Sequence, residues 1–204
     1  MKRLSMMMVI FLLLGLCSCQ EQPAQPKEYT SENGAYSICV PGNLTQTQGQ
    51  NEDNINLTNQ KDSFRVMVQR MTKEQLAALV TTLEEFVNFN ISTIQEAGLT
   101  LPQPSDFAMD NGMSAKSVEY EVERDNQTSK AYSVYIESPD AFYIYSITGS
   151  RDEYDKNIES QKAAISSLKE NQEYTCASCG AFRCRRRKKI SSYRNIAFFR
   201  INIC

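Results

Sequence analysis

The clearest pattern in the chain lies at residues 117–136, where side chains alternate with a period of two on either side of a polar turn. Val118, Tyr120 and Val122 alternate with Ser117, Glu119, Glu121 and Glu123. After a polar turn at 124–127 the chain returns through Tyr132, Val134 and Ile136 against Ala131, Ser133 and Tyr135. Successive strand residues point to opposite faces, so this stretch predicts a hairpin. Ser138-Pro139-Asp140 then turns the chain into 141–147, which is apolar at nearly every position. Such a run suits a central strand covered on both faces. The three together form an antiparallel meander.

Weaker strands precede it. Tyr36, Ile38 and Val40 share one face, with Ser37 and Cys39 on the other, and Pro41-Gly42 ends the strand. Residues 44–48 and 55–59 are short candidate strands. Phe64, Val66 and Val68 alternate with Arg65, Met67 and Gln69 in a firmer one. Thr72 with Gln75 then has capping-box spacing, and the apolar period changes to that of a helix through Leu76, Leu79, Val80, Leu83, Phe86, Val87, Ile91 and Ile94. Thr81 with Glu84, or Thr82 with Glu85, is a second start signal, so the helix is expected to break near Val80 and restart. Gly98 ends it. Beyond the meander, Ser150 with Glu153 predicts a closing helix carrying Tyr154, Ile158, Ile165 and Leu168 on one face. Strands, long helix, meander and closing helix define an α+β class: an antiparallel sheet of about six or seven strands, packed with a long central helix and a C-terminal helix.

The two ends depart from this pattern. Lys2 and Arg3 precede a run that is apolar over 6–16 apart from Gly15. That is the charge-then-apolar order of a secretory signal, too short to span a membrane as a stable helix. Its end, Leu16-Cys17-Ser18-Cys19, resembles the lipobox of bacterial lipoproteins, with the small Ser18 just before Cys19. Cys17 fits less well, because bulky Leu16 precedes it. The resemblance implies a signal peptide at 1–18, acylation of the Cys19 thiol, and attachment to the plasma or outer membrane of a cell envelope through the lipid. Gln20 rather than Asp after the lipid site would permit transfer to the outer membrane. Residues 19–28, rich in Gln and Pro, read as a tether, and the domain proper as 29–170.

Composition sharpens the division. Residues 20–172 hold 12 basic and 23 acidic side chains, whereas 173–204 hold 8 basic and one acidic. An acidic body is not expected to seek nucleic acid or an anionic membrane surface. The 171–204 tail carries Cys176, Cys179 and Cys184, then Arg185-Arg186-Arg187-Lys188-Lys189 and an apolar close to Cys204. Its cysteines can be read as a zinc knuckle or a redox pair, and its basic run as an arm for anionic lipid. A plainer reading is an extension past the natural end of the domain.

Histidine is absent. No Ser-His-Asp or Cys-His nucleophile, His base or His-ligated zinc can therefore form from this chain. Cys39 is the one thiol of the domain and reads as a strand residue. Glu84 and Glu85 are adjacent on a helix and do not face each other, so they read as a solvated helix start rather than an acid–base pair. No Gly-rich phosphate loop occurs, and no cofactor is called for. The remaining surface candidates are Tyr120, Tyr132, Tyr135, Tyr143 and Tyr145, since tyrosine gives rigid contact area with a polar tip. Alternation must also send some of these rings into the core.

The domain resembles the PsbP/DcrB-like group, which shares its fold with the Mog-type Ran-binding proteins. The likeness rests on the 36–41 strand closing on Val40-Pro41, the helix start Thr82-Leu83-Glu84-Glu85-Phe86, the hairpin of Tyr120 and Tyr132, and the closing helix to Leu168-Lys169. Asn43-Leu44 departs from it where such domains often carry a Trp. The resemblance implies a non-enzymatic domain that docks onto membrane complexes, partner proteins or envelope components. The alternative is a thiol-redox or metal-handling lipoprotein working through the tail cysteines.

Overall fold

A computed structural model describes residues 25–171 apart from Gln50, Ala97, Asp125 and Asn126, so Cys19 and the tail cysteines Cys176, Cys179 and Cys184 lie outside the described residues. The strands are β1 (Lys27–Thr30), β2 (Tyr36–Val40), β3 (Thr45–Thr47), β4 (Asn54–Thr58), β5 (Phe64–Thr72), β6 (Ser105–Asp106), β7 (Ser114–Arg124), β8 (Gln127–Glu137), β9 (Ala141–Ser150) and β10 (Lys169–Glu170). The helices are α1 (Lys73–Leu76), α2 (Leu83–Glu96) and α3 (Arg151–Ile165).

Seven strands form one antiparallel sheet in the order β3-β4-β5-β9-β8-β7-β6. The predicted α+β class is what forms, and β9, apolar on both faces, is central as expected. A second sheet, β1-β2-β10, was not anticipated. It draws Lys27 and Glu28 out of the expected tether and pairs them with Val40 and Cys39. It also pairs Lys169 and Glu170 with Ser37 and Tyr36.

The large sheet is covered on both faces, which follows from its two alternating sets of side chains. Val66, Val68, Val134, Ile136, Tyr143, Tyr145 and Ile147 pack with Ile38 and Val40 of the small sheet and Tyr154, Ile158 and Ile165 of α3. On the opposite face Val118, Tyr120, Val122, Tyr135, Phe142 and Ile144 pack with Phe86, Val87 and Ile94 of α2.

The helix starts largely obey their caps. At Thr72 the hydroxyl accepts from the Gln75 amide at 3.2 Å and the Gln75 side chain accepts from the Thr72 amide at 2.9 Å. The break near Val80 is present. Beyond it the Thr82 hydroxyl accepts from the Glu85 amide at 3.3 Å, and the Glu85 carboxylate accepts from the Thr81 amide at 2.7 Å. Hydrogen bonds from Thr81, then Thr82, hold the Glu85 carboxyl below the usual carboxylate range. Two expectations need correction. Ser150 occupies the cap position of α3, but its side chain makes no capping bond. Leu79, assigned to the apolar stripe, is 54 % exposed because it falls in the break between α1 and α2.

Candidate functional site

Two polar groupings arise where strand ends meet. The first joins the small sheet to the large one. Tyr143 of β9 donates its hydroxyl proton to Glu170 of β10 at 2.8 Å and accepts from Nε of Arg70 on β5 at 3.2 Å. The Ser138 hydroxyl is 2.7 Å from the same Glu170 oxygen. Tyr36 packs edge-on against Tyr143, with ring centres 5.3 Å apart, and its hydroxyl lies 2.9 Å from the carbonyl oxygens of Asp53 and Val68. Burial, then the bond to Glu170, raises the Tyr143 phenol well above its ordinary value of 10. Such a phenol is a poor proton donor to a substrate near neutral pH. The chemistry of this network is that of a latch.

The second grouping is a surface cleft of about 680 Å³ at the β6–β7 edge, between the start of α2 and the 106–113 loop. Phe107, Met109 and Met113 are its half-buried apolar lining. Charged side chains surround them in pairs: Lys116 lies 3.3 Å from Glu84 and 3.2 Å from Asp106, and Lys73 lies 2.7 Å from Glu137. Hydrogen bonds to Asp106, then Glu84, raise the Lys116 pKa. Thioethers adapt to varied shapes, and the charges already answer one another, so the cleft suits an apolar side chain of a partner better than a small ion.

The predicted site residues are not brought together. Tyr120 and Tyr135 face α2, whereas Tyr132, Tyr143 and Tyr145 face the small sheet and α3. All five are between 0 and 8 % exposed, so they are packing residues and do not form a tyrosine-lined surface. Tyr145 donates to the Gln161 side-chain oxygen at 2.8 Å, and Gln161 in turn donates to the Pro41 carbonyl at 3.0 Å. Cys39 is a half-buried free thiol whose backbone binds the Ser167 hydroxyl, as a strand residue should. Glu84 and Glu85 separate as expected, one to Lys116 and the other to its cap. No cluster of metal-ligating side chains occurs among the described residues. Among them, too, no helix is long and apolar enough to cross a membrane. Arg70, Ser138 and Glu170 were missed by sequence reasoning, since their meeting depends on pairing across the whole chain.

A two-faced antiparallel sheet with a second small sheet and two packed helices is a PsbP-like fold. Among solved structures the chain is similar to a cyanobacterial PsbP (CyanoP) from Synechocystis sp. PCC 6803, with a TM-score of 0.52 and 13 % identity, over 77 % of this chain and 99 % of that one. Weaker likenesses are to PA94 of Pseudomonas aeruginosa, a putative regulator of unknown function (TM-score 0.46, 14 % identity, 72 % of this chain and 99 % of that one), and to LpqN of Mycobacterium tuberculosis, involved in cell envelope biogenesis (TM-score 0.40, 10 % identity, 73 % and 86 %). No family model and no curated protein matches the sequence.

Proposed function

We propose that this protein is a lipid-anchored, non-catalytic binding domain of a bacterial cell envelope. The observation that carries the reading is the join at the start of the chain. A lipobox-like stretch ends in Cys19, a Pro/Gln tether follows, and β1 opens a PsbP-like fold at Lys27. Multiple acyl chains, at about 0.8 kcal/mol per buried methylene, give lasting attachment without a spanning helix. Two further points support a binding role. The polar groups of the Tyr143 network are engaged in holding the sheets together, and the apolar cleft sits on the sheet edge, where a partner can reach it.

The experiment is retention from detergent-solubilised membranes, with the anchored wild type as bait and Cys19→Ser as control. The wild type should fractionate with membranes and reproducibly retain an envelope protein or ligand, while Cys19→Ser should appear in the soluble fraction. Failure of the wild type to retain any envelope component would overturn the binding role. A Cys19→Ser protein that stays membrane-bound would overturn the anchor.

A further inference from the structure

The outer edge of β7 is covered only in part. β6 pairs with Ser117 and Lys116, and the Phe107 amide donates to the Ala115 carbonyl at 2.9 Å. Beyond Ser117 no strand pairs with that edge among the described residues. The register of β7 with β8 runs without a break from Ser114↔Glu137 to Arg124↔Gln127. Hydrogen-bonding direction therefore alternates strictly along β7. Because the Ala115 carbonyl points outward, so do the backbone groups of 117, 119, 121 and 123. The residues whose amides and carbonyls face the open edge are thus Glu119, Glu121 and Glu123, and all three side chains are exposed.

An unpaired edge is a template for another strand, and charged side chains normally guard it. Here the guard is selective. A second copy docking edge to edge in antiparallel register would set glutamates opposite glutamates, which is destabilising. A strand with Lys or Arg at every second position would set a cation opposite each carboxylate. One neighbouring group points the same way. Tyr154 is buried with its hydroxyl in hydrogen-bond geometry with no other group, yet it lies close enough to Glu119 for that carboxylate to join burial in raising the phenol's pKa. The unpartnered hydroxyl oxygen leaves acceptor capacity beside Glu119. Glu121 is already met by Arg151 at 3.0 Å, but both side chains are more than half exposed, so the pair is weak and exchangeable.

We propose that the β7 edge at Glu119, Glu121 and Glu123 receives an extended partner segment carrying basic residues at alternate positions, added as an eighth strand of the large sheet. Backbone hydrogen bonds supply the affinity, and the three carboxylates supply the charge preference. The inference deepens the binding reading above by naming the surface and the chemistry of its partner. It stands or falls separately from the lipid anchor, because the test needs no membrane.

The test is residue-resolved amide exchange on the full mature chain, using two synthetic peptides: one alternating lysine with threonine, and one alternating glutamate with threonine. The lysine peptide should slow exchange at the amides of Glu119, Glu121 and Glu123 by about tenfold or more, since those amides become hydrogen-bonded. The amides of Val118, Tyr120 and Val122, already turned toward β8, should change little. The effect should weaken as salt is raised. The glutamate peptide should do nothing to the wild type and should replace the lysine peptide on a Glu119→Lys/Glu121→Lys/Glu123→Lys protein. Should that variant fail to fold, the Glu119→Gln/Glu121→Gln/Glu123→Gln protein should lose the peptide preference instead. No slowing, or equal slowing at odd and even positions, overturns the proposal. Protection of the three amides without peptide, lost when Arg185, Arg187 and Lys189 are changed to Ala, would make the chain's own basic run the occupant and would also overturn it.

Discussion

Tyrosine is the residue that this fold uses most distinctively. The eight in the described part, Tyr29, Tyr36, Tyr120, Tyr132, Tyr135, Tyr143, Tyr145 and Tyr154, are all buried. Desolvation is the first cause raising each phenol above its ordinary value of 10. The folded pKa exceeds the unfolded one, so each phenol's contribution to stability is fully present below pH 10 and is lost as pH rises from 10 through the folded value. The phenolate absorbance of these eight should therefore lag behind that of free tyrosine above pH 10 and then appear in one step with loss of the fold. Smooth titration of these eight near pH 10, with the circular dichroism of the native protein retained, would contradict their burial. Gly149 gives a second prediction at this scale. A Cβ there would lie 2.9 Å from the Phe64 ring and 3.2 Å from the Ser63 carbonyl, on a glycine paired directly with Phe64. Gly149→Ala should cost about 1–3 kcal/mol, read as a lower urea midpoint at unchanged slope. The alternation that revealed the strands could not tell which tyrosines would be covered, because coverage of both faces depends on α2, α3 and a second sheet brought in from distant segments.

Among the elements, α2 is held by Phe86, which stacks on Phe142 at 4.8 Å and meets Tyr135 edge-on at 6.1 Å. Phe86→Ala should destabilise by about 3–5 kcal/mol in denaturant unfolding. Two-residue β10 is held instead by Glu170, whose one oxygen meets both the Tyr143 and Ser138 hydroxyls. Glu170→Ala should cost about 1–3 kcal/mol and Glu170→Gln less, since an amide oxygen still accepts. A Glu170→Ala protein with unchanged stability would remove the latch role. The elements with strong local signals were legible: the β5 alternation, the α2 stripe with its Thr82–Glu85 start, and the meander. β1, β6 and β10 were not, because four, two and two residues carry no period. Ser150 shows the opposite error, a cap signal in sequence that makes no capping bond, since β9 runs straight into α3 there.

In the whole molecule, an acidic, two-faced domain follows a stretch whose residue pattern resembles a lipobox. The sheet's architecture was readable from periodicity, and the short register partners that complete it were not. The candidate site was the least legible part. Glu119, Glu121 and Glu123 looked like the polar half of an ordinary strand, and only the stop of β6 at Ser117 leaves their backbone groups on an open edge. The proposed function turns on Cys19. The direct measurement is mass spectrometry of the N-terminal peptide of the protein purified from its own membranes. The prediction is a mature chain that begins at Cys19 and carries diacylglycerol on its thiol, with Cys17 removed. A chain that begins elsewhere, or an unmodified Cys19, would contradict the central claim.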